Sequence, residues 1–356
     1  AEILLDYIEK TQNKDISSLK DFEVYFKDKF VYMTNYSIRN LEVTQNMANG
    51  SKKGSLLSIV DKTSTAAGSR KLKNWLENPL LDINEIKKRQ EIVGDFVKHY
   101  FEKSDVKTSL KEVYDLERIS TKVSYNIVSP KELLNLKKTL KQIPQIKNIL
   151  KGFDSEKLVD IANNIDELED LHDFLEKTIH EEAGQTVKDG NVIKLGFNEE
   201  LDSYKNASKN GNKVLLEIEE REKNRTGIKN LKVGYNKIFG YFIEISKVGL
   251  KSVDPTELGY HRKQTLSNCE RFISEELKQV EEHIVNSKTK IEELELQLFQ
   301  EVKIKIHEYI PRLQRVANTL SDIDVFVSLS DVAEEYGYVK PDFYDDNVID
   351  IVDGRH

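Results

Sequence analysis

The chain has 356 residues, 38% of them hydrophobic, which is enough for a real core and for two or three domains. Charged residues make up 33% with only 16 Gly and 6 Pro, a balance that favours helices over loop-rich or all-β architecture. A formal net charge of −8 argues against binding nucleic acid over the whole surface, and the one cysteine, Cys269, excludes an internal disulfide framework and a Cys-based zinc site. A lone cysteine fits a reducing cytoplasm. No run of about 18 apolar residues is present to span a membrane, so a cytoplasmic chain without a membrane partner is expected.

Residues 3–12 read as a short amphipathic helix without the basic-then-apolar order of a signal peptide, as if cut from something larger. Aromatic-rich segments at 22–26 and 30–33 read as short strands joined by Lys27-Asp28-Lys29. From Asn35 to about Thr178 the pattern is helical. Asp82 with Glu85 three residues later is a capping-box-like start, and Ser129 before Pro130 places a cap ahead of proline at the first helical position. That helix is expected to end or kink near Ile143, because Pro144 cannot donate to the ladder. Residues 184–196 are a Gly-punctuated connection. A first long helix follows to about Arg225, with Phe197, Leu201, Tyr204, Ser208, Gly211, Leu215 and Ile218 at spacings of three and four.

Thr226-Gly227 stops that helix. Leu231, Val233 and Tyr235 alternate with polar or small residues, Asn236-Lys237 forms a turn, and 238–246 returns as a second strand. Residues 262–266 are a possible third strand. Ser267 with Glu270 resembles a capping box opening a long return helix from Arg271. Its seam is Ile273, Leu277, Val280, Ile284, Ile291, Leu294, Leu298, Val302 and Ile306, interrupted at Ser287. Pro311 is expected to terminate it, and 320–336 is one more helix. The predicted fold is mainly α: a helical core with long antiparallel coiled-coil helices carrying a small inserted antiparallel β-module.

Charge is uneven along the chain. Residues 227–271 hold eight basic side chains against four acidic ones, whereas the chain as a whole is acidic. This asymmetry points to a polyanionic partner at the β-module, with a solvated sheet carrying a few extra lysines as the plainer reading. Other motifs read as structure. His180-Glu181-Glu182 and His307-Glu308 lack a second histidine four residues on, so no metal site is expected. No G-x-S-x-G elbow and no G-x-x-x-x-G-K-[ST] loop occurs, so neither a catalytic triad nor a phosphate cradle is recognisable. Trp75 has the helical spacing of a core residue, and the acid-rich run 217–222 reads as a solvated stalk face.

Five separated blocks carry a family resemblance. They are Gly54-Ser-Leu-Leu-Ser-Ile-Val-Asp-Lys-Thr63, Gly68-Ser-Arg-Lys-Leu-Lys-Asn-Trp-Leu-Glu-Asn-Pro-Leu80, Lys232-Val-Gly-Tyr-Asn-Lys-Ile-Phe-Gly-Tyr241, Arg262-Lys-Gln-Thr-Leu266 and Asp353-Gly-Arg-His356. In this order they resemble the core and clamp segments of the MutS family of DNA mismatch-repair proteins. The resemblance implies a connector remnant at 1–20, a core with the first lever helix at 21–200, a clamp at 201–270, a second lever helix with return to the core at 271–345, and the start of an ATPase domain at 346–356. It implies that the mismatch-reading and nucleotide-binding domains lie outside this chain. The chain is then not an enzyme and holds no cofactor, ATP and Mg being those of the full-length relatives. Phe242-Ile-Glu244 and Phe299-Gln-Glu301 spell the family's Phe-x-Glu reader, but in a clamp strand and a coiled-coil helix, so both read as structure.

The expected function is non-specific clamping of duplex DNA through its phosphates and mechanical linkage of mismatch recognition to the ATPase domain. The candidate DNA contacts are Asn236, Lys237, Arg262, Lys263, Gln264, Thr265 and Asn268, the cations for phosphate oxygens and the neutral side chains for added hydrogen bonds. Gly234 and Gly240 would allow close backbone approach or relieve strand bends. Expected partners are double-stranded DNA, a second copy in the full-length protein and a MutL-type repair protein. The alternative is a coiled-coil scaffold without DNA binding, and an enzyme comes third for want of any motif.

Overall fold

The computed structural model describes Tyr7, Lys10, Thr11, residues 29–236, Ile238 and residues 240–354. Of the helix expected at 3–12, the described Tyr7, Lys10 and Thr11 are helical, and the strand expected at 22–26 lies outside the described residues. Two compact units divide the chain, residues 1–175 with 303–356 and residues 176–302.

The first unit is helical. Its elements are α1 (Asn35–Asn40), α2 (Leu56–Val60), α3 (Ala66–Glu77), α4 (Ile83–Lys98), α5 (Tyr100–Lys111), α6 (Leu116–Ser124), α7 (Pro130–Lys151), α8 (Glu156–Asn163), the body of α9 (Glu169–Thr178) and, at its centre, α12 (Ile310–Tyr336). Short polar side chains start these helices as the sequence suggests. Ser129 and Glu132 form a reciprocal capping box, and Asp82 accepts from the backbone of Asn84 and Glu85. The central helix α12 is apolar around much of its girth, burying Leu313, Val316, Leu320, Ile323, Val325, Phe326 and Val327, which suits a helix packed by α3, α4, α5 and α6 on several sides.

Three expectations fail in this unit for physical reasons. Pro144 sits inside an unbroken α7: the lost hydrogen bond and ring clash cost about 3 kcal/mol, offset by the fully buried Leu140, Ile143, Ile146 and Leu150 around it. The return helix does stop before Pro311, at His307, but the next helix starts at Ile310 with Pro311 in its first turn, where proline needs no donor, ten residues before the expected Leu320. The strand expected at 30–33 reduces to one antiparallel bridge, Phe30 with Leu80.

The second unit holds α10 (Glu199–Thr226), α11 from Glu275 towards its end at His307, and four strands: β1 (Lys232–Asn236), β2 (Gly240–Ser246), β3 (His261–Thr265) and β4 (Cys269–Ile273). The sheet is antiparallel throughout in the order β1-β2-β4-β3. β4 replaces the expected capping box at Ser267 and Glu270. Ile243 pairs with Phe272 and Glu244 with Arg271, so cross-strand partners outweigh the local helix signal, and Ser274 caps α11 instead by accepting from Leu277 N at 3.3 Å.

The helices α10 and α11 pair antiparallel. Arg221 meets Glu276, Gly211 approaches Ile284, and Tyr204 lies 5.0 Å from the Lys290 ammonium, so positions rise along one helix as they fall along the other. A Cβ at Gly211 would stand 2.5 Å from Ile284 Cγ1, which makes this glycine the point of closest helix approach. The predicted seam is buried at Leu277, Ile284, Leu298 and Val302, but Ile291 and Leu294 are only half-buried. Next to Leu294, Glu295 is 1% exposed. Its carboxylate accepts from Val192 N at 3.2 Å and Ile193 N at 3.3 Å and pairs with Lys205 Nζ at 2.8 Å, a polar knot where the seam reads apolar.

Candidate nucleic-acid interface

One face of the sheet, carrying Ile243, Ile245 and Phe272, buries against Leu215, Leu277 and Ile284 of the two helices, with Leu231 and Tyr260 closing the cluster. Carboxylates of the run 217–222 also serve this packing, which corrects the solvated-face reading. Glu222 is buried and accepts from the Tyr260 hydroxyl at 2.5 Å, and Glu219 accepts from Val233 N at 2.9 Å. Burial and the Glu222 carboxylate push the Tyr260 phenol well above its usual range.

On the opposite face Arg271 organises the surface. Its guanidinium lies 4.2 Å over the Phe242 ring, donates to Glu244 at 2.9 Å and to Gln264 Oε1 at 3.0 Å. The Phe242 ring in turn covers Gly234, where a Cβ would meet it at 2.8 Å. Phe242 is buried here, as expected of structure rather than of a base-stack wedge.

The register decides which candidate residues share an end of the sheet. Asn236 opposite Gly240 closes one end, and Ser246 opposite Cys269 marks the other. Asn236 Oδ1 accepts from Ile238 N at 2.8 Å in the β1–β2 turn, Ile238 is exposed, and Lys237 between them lies outside the described residues. Gly240 ends that turn at φ 75°, a conformation favouring glycine. Asn268 sits in the β3–β4 turn at the Ser246 end, its carbonyl accepting from Lys247 N at 3.0 Å. The seven candidates therefore do not converge on one end.

Arg262 and Lys263 start β3, with an irregularity in register between Arg262 and Gln264. Arg262 forms an ion pair with Glu270 at 2.8 Å. Lys263 is exposed and borders a groove shared with Glu275, Glu281 and Glu282, whose charge opposes a phosphate there. Gln264 is held by Arg271, and Thr265 pairs with Glu270.

Sequence reasoning counted but did not single out Lys229, Lys247 and Lys251. All three are exposed and, among the described residues, none forms an ion pair. They share the Ser246 end: Lys247 is bonded to Asn268, Ser246 Oγ accepts from Gly249 N at 3.2 Å, and Gly249 abuts Ile228, the neighbour of Lys229. Gly227, at the C-terminus of α10, adopts φ 70° and turns the chain into this corner. Lys232 begins β1 one step further in, across from Glu244. In sequence the trio is spread from Lys229 to Lys251, and only the helix stop at Gly227 and the strand end at Ser246 hint that it shares one end of the sheet. Three exposed lysines without ion pairs at this end of the sheet, one of them bonded through its backbone to Asn268, suit phosphate oxygens and offer no base-edge fork.

Residues 36–330 match the family MutS domain III. A DNA mismatch repair protein MutS of Staphylococcus saprophyticus is 43% identical over 355 residues, covering 100% of this chain and 40% of the relative. Proteins of the same name from Staphylococcus aureus strains RF122 and Newman are 42% identical over 355 residues, covering 100% of this chain and 41% of each relative. The chain thus spans about two fifths of the length of the curated relatives it matches.

Proposed function

This chain belongs to the MutS family, and on that footing we propose that it holds double-stranded DNA by its phosphate backbone, without sequence readout, as one part of DNA mismatch repair. The observation that carries the reading is the corner of Lys229, Lys247 and Lys251 beside Asn268, free of carboxylate partners among the described residues in a chain of net charge −8. Cationic side chains at one end of a sheet, beyond the last turn of α10, give a local positive patch in an otherwise acidic chain. Of the residues first singled out, Asn268 stays in this contact, and Lys237, outside the described residues, stays a candidate on its sequence position alone. Arg262, Gln264 and Thr265 serve the sheet, and Lys263 takes a secondary place.

The domain assignment from the resemblance belongs to the same proposal: connector at 1–20, core at 21–200, clamp at 201–270, lever at 271–345 and the start of an ATPase domain at 346–356. In it α11, within 271–345, serves as a lever that passes contact at the clamp to a nucleotide-binding domain outside these residues. ATP and Mg, a second copy and a MutL-type partner then belong to the whole protein, and this chain performs no catalysis of its own.

Fluorescence anisotropy of a labelled duplex, titrated with the chain at low and moderate salt, tests the reading. Binding in or below the non-specific range of roughly 10⁻⁴–10⁻⁶ M, weakening steeply with salt, is expected. Reversing Lys229, Lys247 and Lys251 to Glu should abolish it. Retention of binding in that variant would reject the assigned surface, and no salt-sensitive binding by the parent would favour the scaffold reading.

A further inference from the structure

A pocket of about 550 Å³ opens in the first unit between α3, α4, α8 and α12, far in sequence from the sheet. Trp75, Ile92, Ile161, Ile323 and Phe326 supply the apolar part of its lining, which they share with Arg89 and other polar side chains. The Arg89 guanidinium lies 3.4 Å from the Trp75 ring centroid, and the Phe326 ring meets Trp75 edge-on at 5.4 Å. Arg89 is half-buried, yet among the described residues its five N–H donors reach no acceptor. A guanidinium withdrawn from water without acceptors is costly to keep, and Arg is the side chain whose planar fork takes a carboxylate through two parallel bonds.

The other charged groups lining the pocket are Lys71, Lys88 and Lys157 against Glu85, Asp160 and Asp322. Two of these cations are engaged already, Lys71 with Asp322 at 3.0 Å and Lys157 with Glu91 outside the lining. Asp322 and Glu85 attract Arg89 through space without bonding it, while burial draws its pKa down from the usual value. Counted with Arg89 the lining holds four cations and three carboxylates, and Glu91 beyond it offsets Lys157, so the surroundings are balanced while the Arg89 fork itself stays without an acceptor.

The geometry points to a receptor for an organic carboxylate with an apolar body, its oxygens on the Arg89 fork and its apolar part against Trp75 and Phe326. A free organic acid and an acidic side chain flanked by apolar residues in a protein segment present the same chemistry. Duplex DNA does not, since its phosphates carry no apolar body into a pocket of this kind.

Trp75 is the one tryptophan of the chain, so its emission reports the pocket directly. The chain is titrated with 3-phenylpropionate, with 3-phenylpropanamide as the neutral isostere, and with the blocked peptide Ac-Leu-Glu-Phe-NH2, all against sodium chloride of equal ionic strength. A saturable emission change with the propionate, at least tenfold weaker with the amide and lost in Arg89→Met, is the expected result. A saturable response to the peptide identifies a protein segment as the source, and its absence beside a response to the propionate identifies a free acid. Where Arg89→Met fails to fold, Arg89→Lys keeps the charge and removes the fork, and a response weakened at least tenfold is expected. No saturable change with either acid, equal binding of the amide, or an unaltered response in Arg89→Lys would overturn the assignment.

Discussion

Asp324, fully buried in α12, accepts from Ser64 N and Thr65 N at 2.8 Å each and from the Thr65 hydroxyl at 2.6 Å, fixing the loop that enters α3. Gly68 lies against the same carboxyl, with no room for a Cβ. Asp324→Ala strands two backbone donors, and a loss of about 2–4 kcal/mol is expected in a urea melt. Gly68→Ala should destabilise in the same assay by displacing that carboxyl. Ion pairs set the response to acid. Arg312, at 2.7 Å from both Asp166 and Asp170, holds these carboxyls below their usual range, and Arg70 does so for Asp115 against the opposing effect of burial. A depressed folded-state pKa contributes stability that is full above the unfolded value of about 4 and lost as pH falls through the folded value. The melting temperature should therefore drop as pH falls below about 4, and Arg312→Met should flatten that drop in a pH series of thermal melts. A parallel pH dependence in the variant would contradict this assignment.

At the scale of elements, the paired helices α10 and α11 owe their fit to two features that a heptad pattern does not reveal. Gly211 lets the backbones close on Ile284, and Glu295 answers the backbone of Val192 and Ile193 while Lys205 donates to Ile193 O at 2.8 Å. Glu295→Ala leaves two buried donors unpaired and Lys205 without its carboxylate, so a cost of about 3–5 kcal/mol is expected by chemical denaturation. Leu298→Asp, which puts a carboxylate at a buried seam position, should also cost several kcal/mol. Leu294→Asp should cost distinctly less, because Leu294 is half-buried. Equal losses at 294 and 298 would mean that the seam runs differently. In the sheet, Arg271→Ala uncovers Phe242 and releases Gln264, so its effect belongs to folding of the β-module rather than to phosphate contact.

For the whole molecule, charge separation is the property with the most consequence. Phosphate contact made by lysines alone is insensitive to base pairing, so homoduplex and mismatched duplex should bind alike. A preference of tenfold or more for the mismatch in competition titrations would reject this. Each phosphate contact removed should lower the slope of log affinity against log salt by about one, which distinguishes loss of a lysine contact from loss of folded protein. Calorimetric titration with ATP and magnesium should show no saturable heat, and a micromolar site would place a nucleotide centre within these residues. No helix among the described residues is long and apolar enough to cross a membrane.

Helices and their starts were legible in the sequence because caps and 3.6-residue periodicity act within a few positions: Ser129 with Glu132, Asp82, and the stop at Gly227 all stand where the residues place them. The mainly helical fold with a small antiparallel sheet followed from the same signals. What depended on contacts distant in sequence was not legible. β4 forms because Ile243 and Glu244 offer partners to Phe272 and Arg271, although its own residues suggest a helix start. Pro144 stays within α7 because tertiary burial outweighs a lost backbone bond. Composition located the excess of positive charge in the β-module, but only the register and the ion pairs of the folded sheet decided which cations remain free. Arg262 and Arg271 are engaged by Glu270 and Glu244, while Lys229, Lys247 and Lys251, whose backbones come to one end of the sheet, form no ion pair among the described residues. Short-range backbone preference is written locally; the pairing of charges is a property of neighbours in space, and those are set only when the chain has folded.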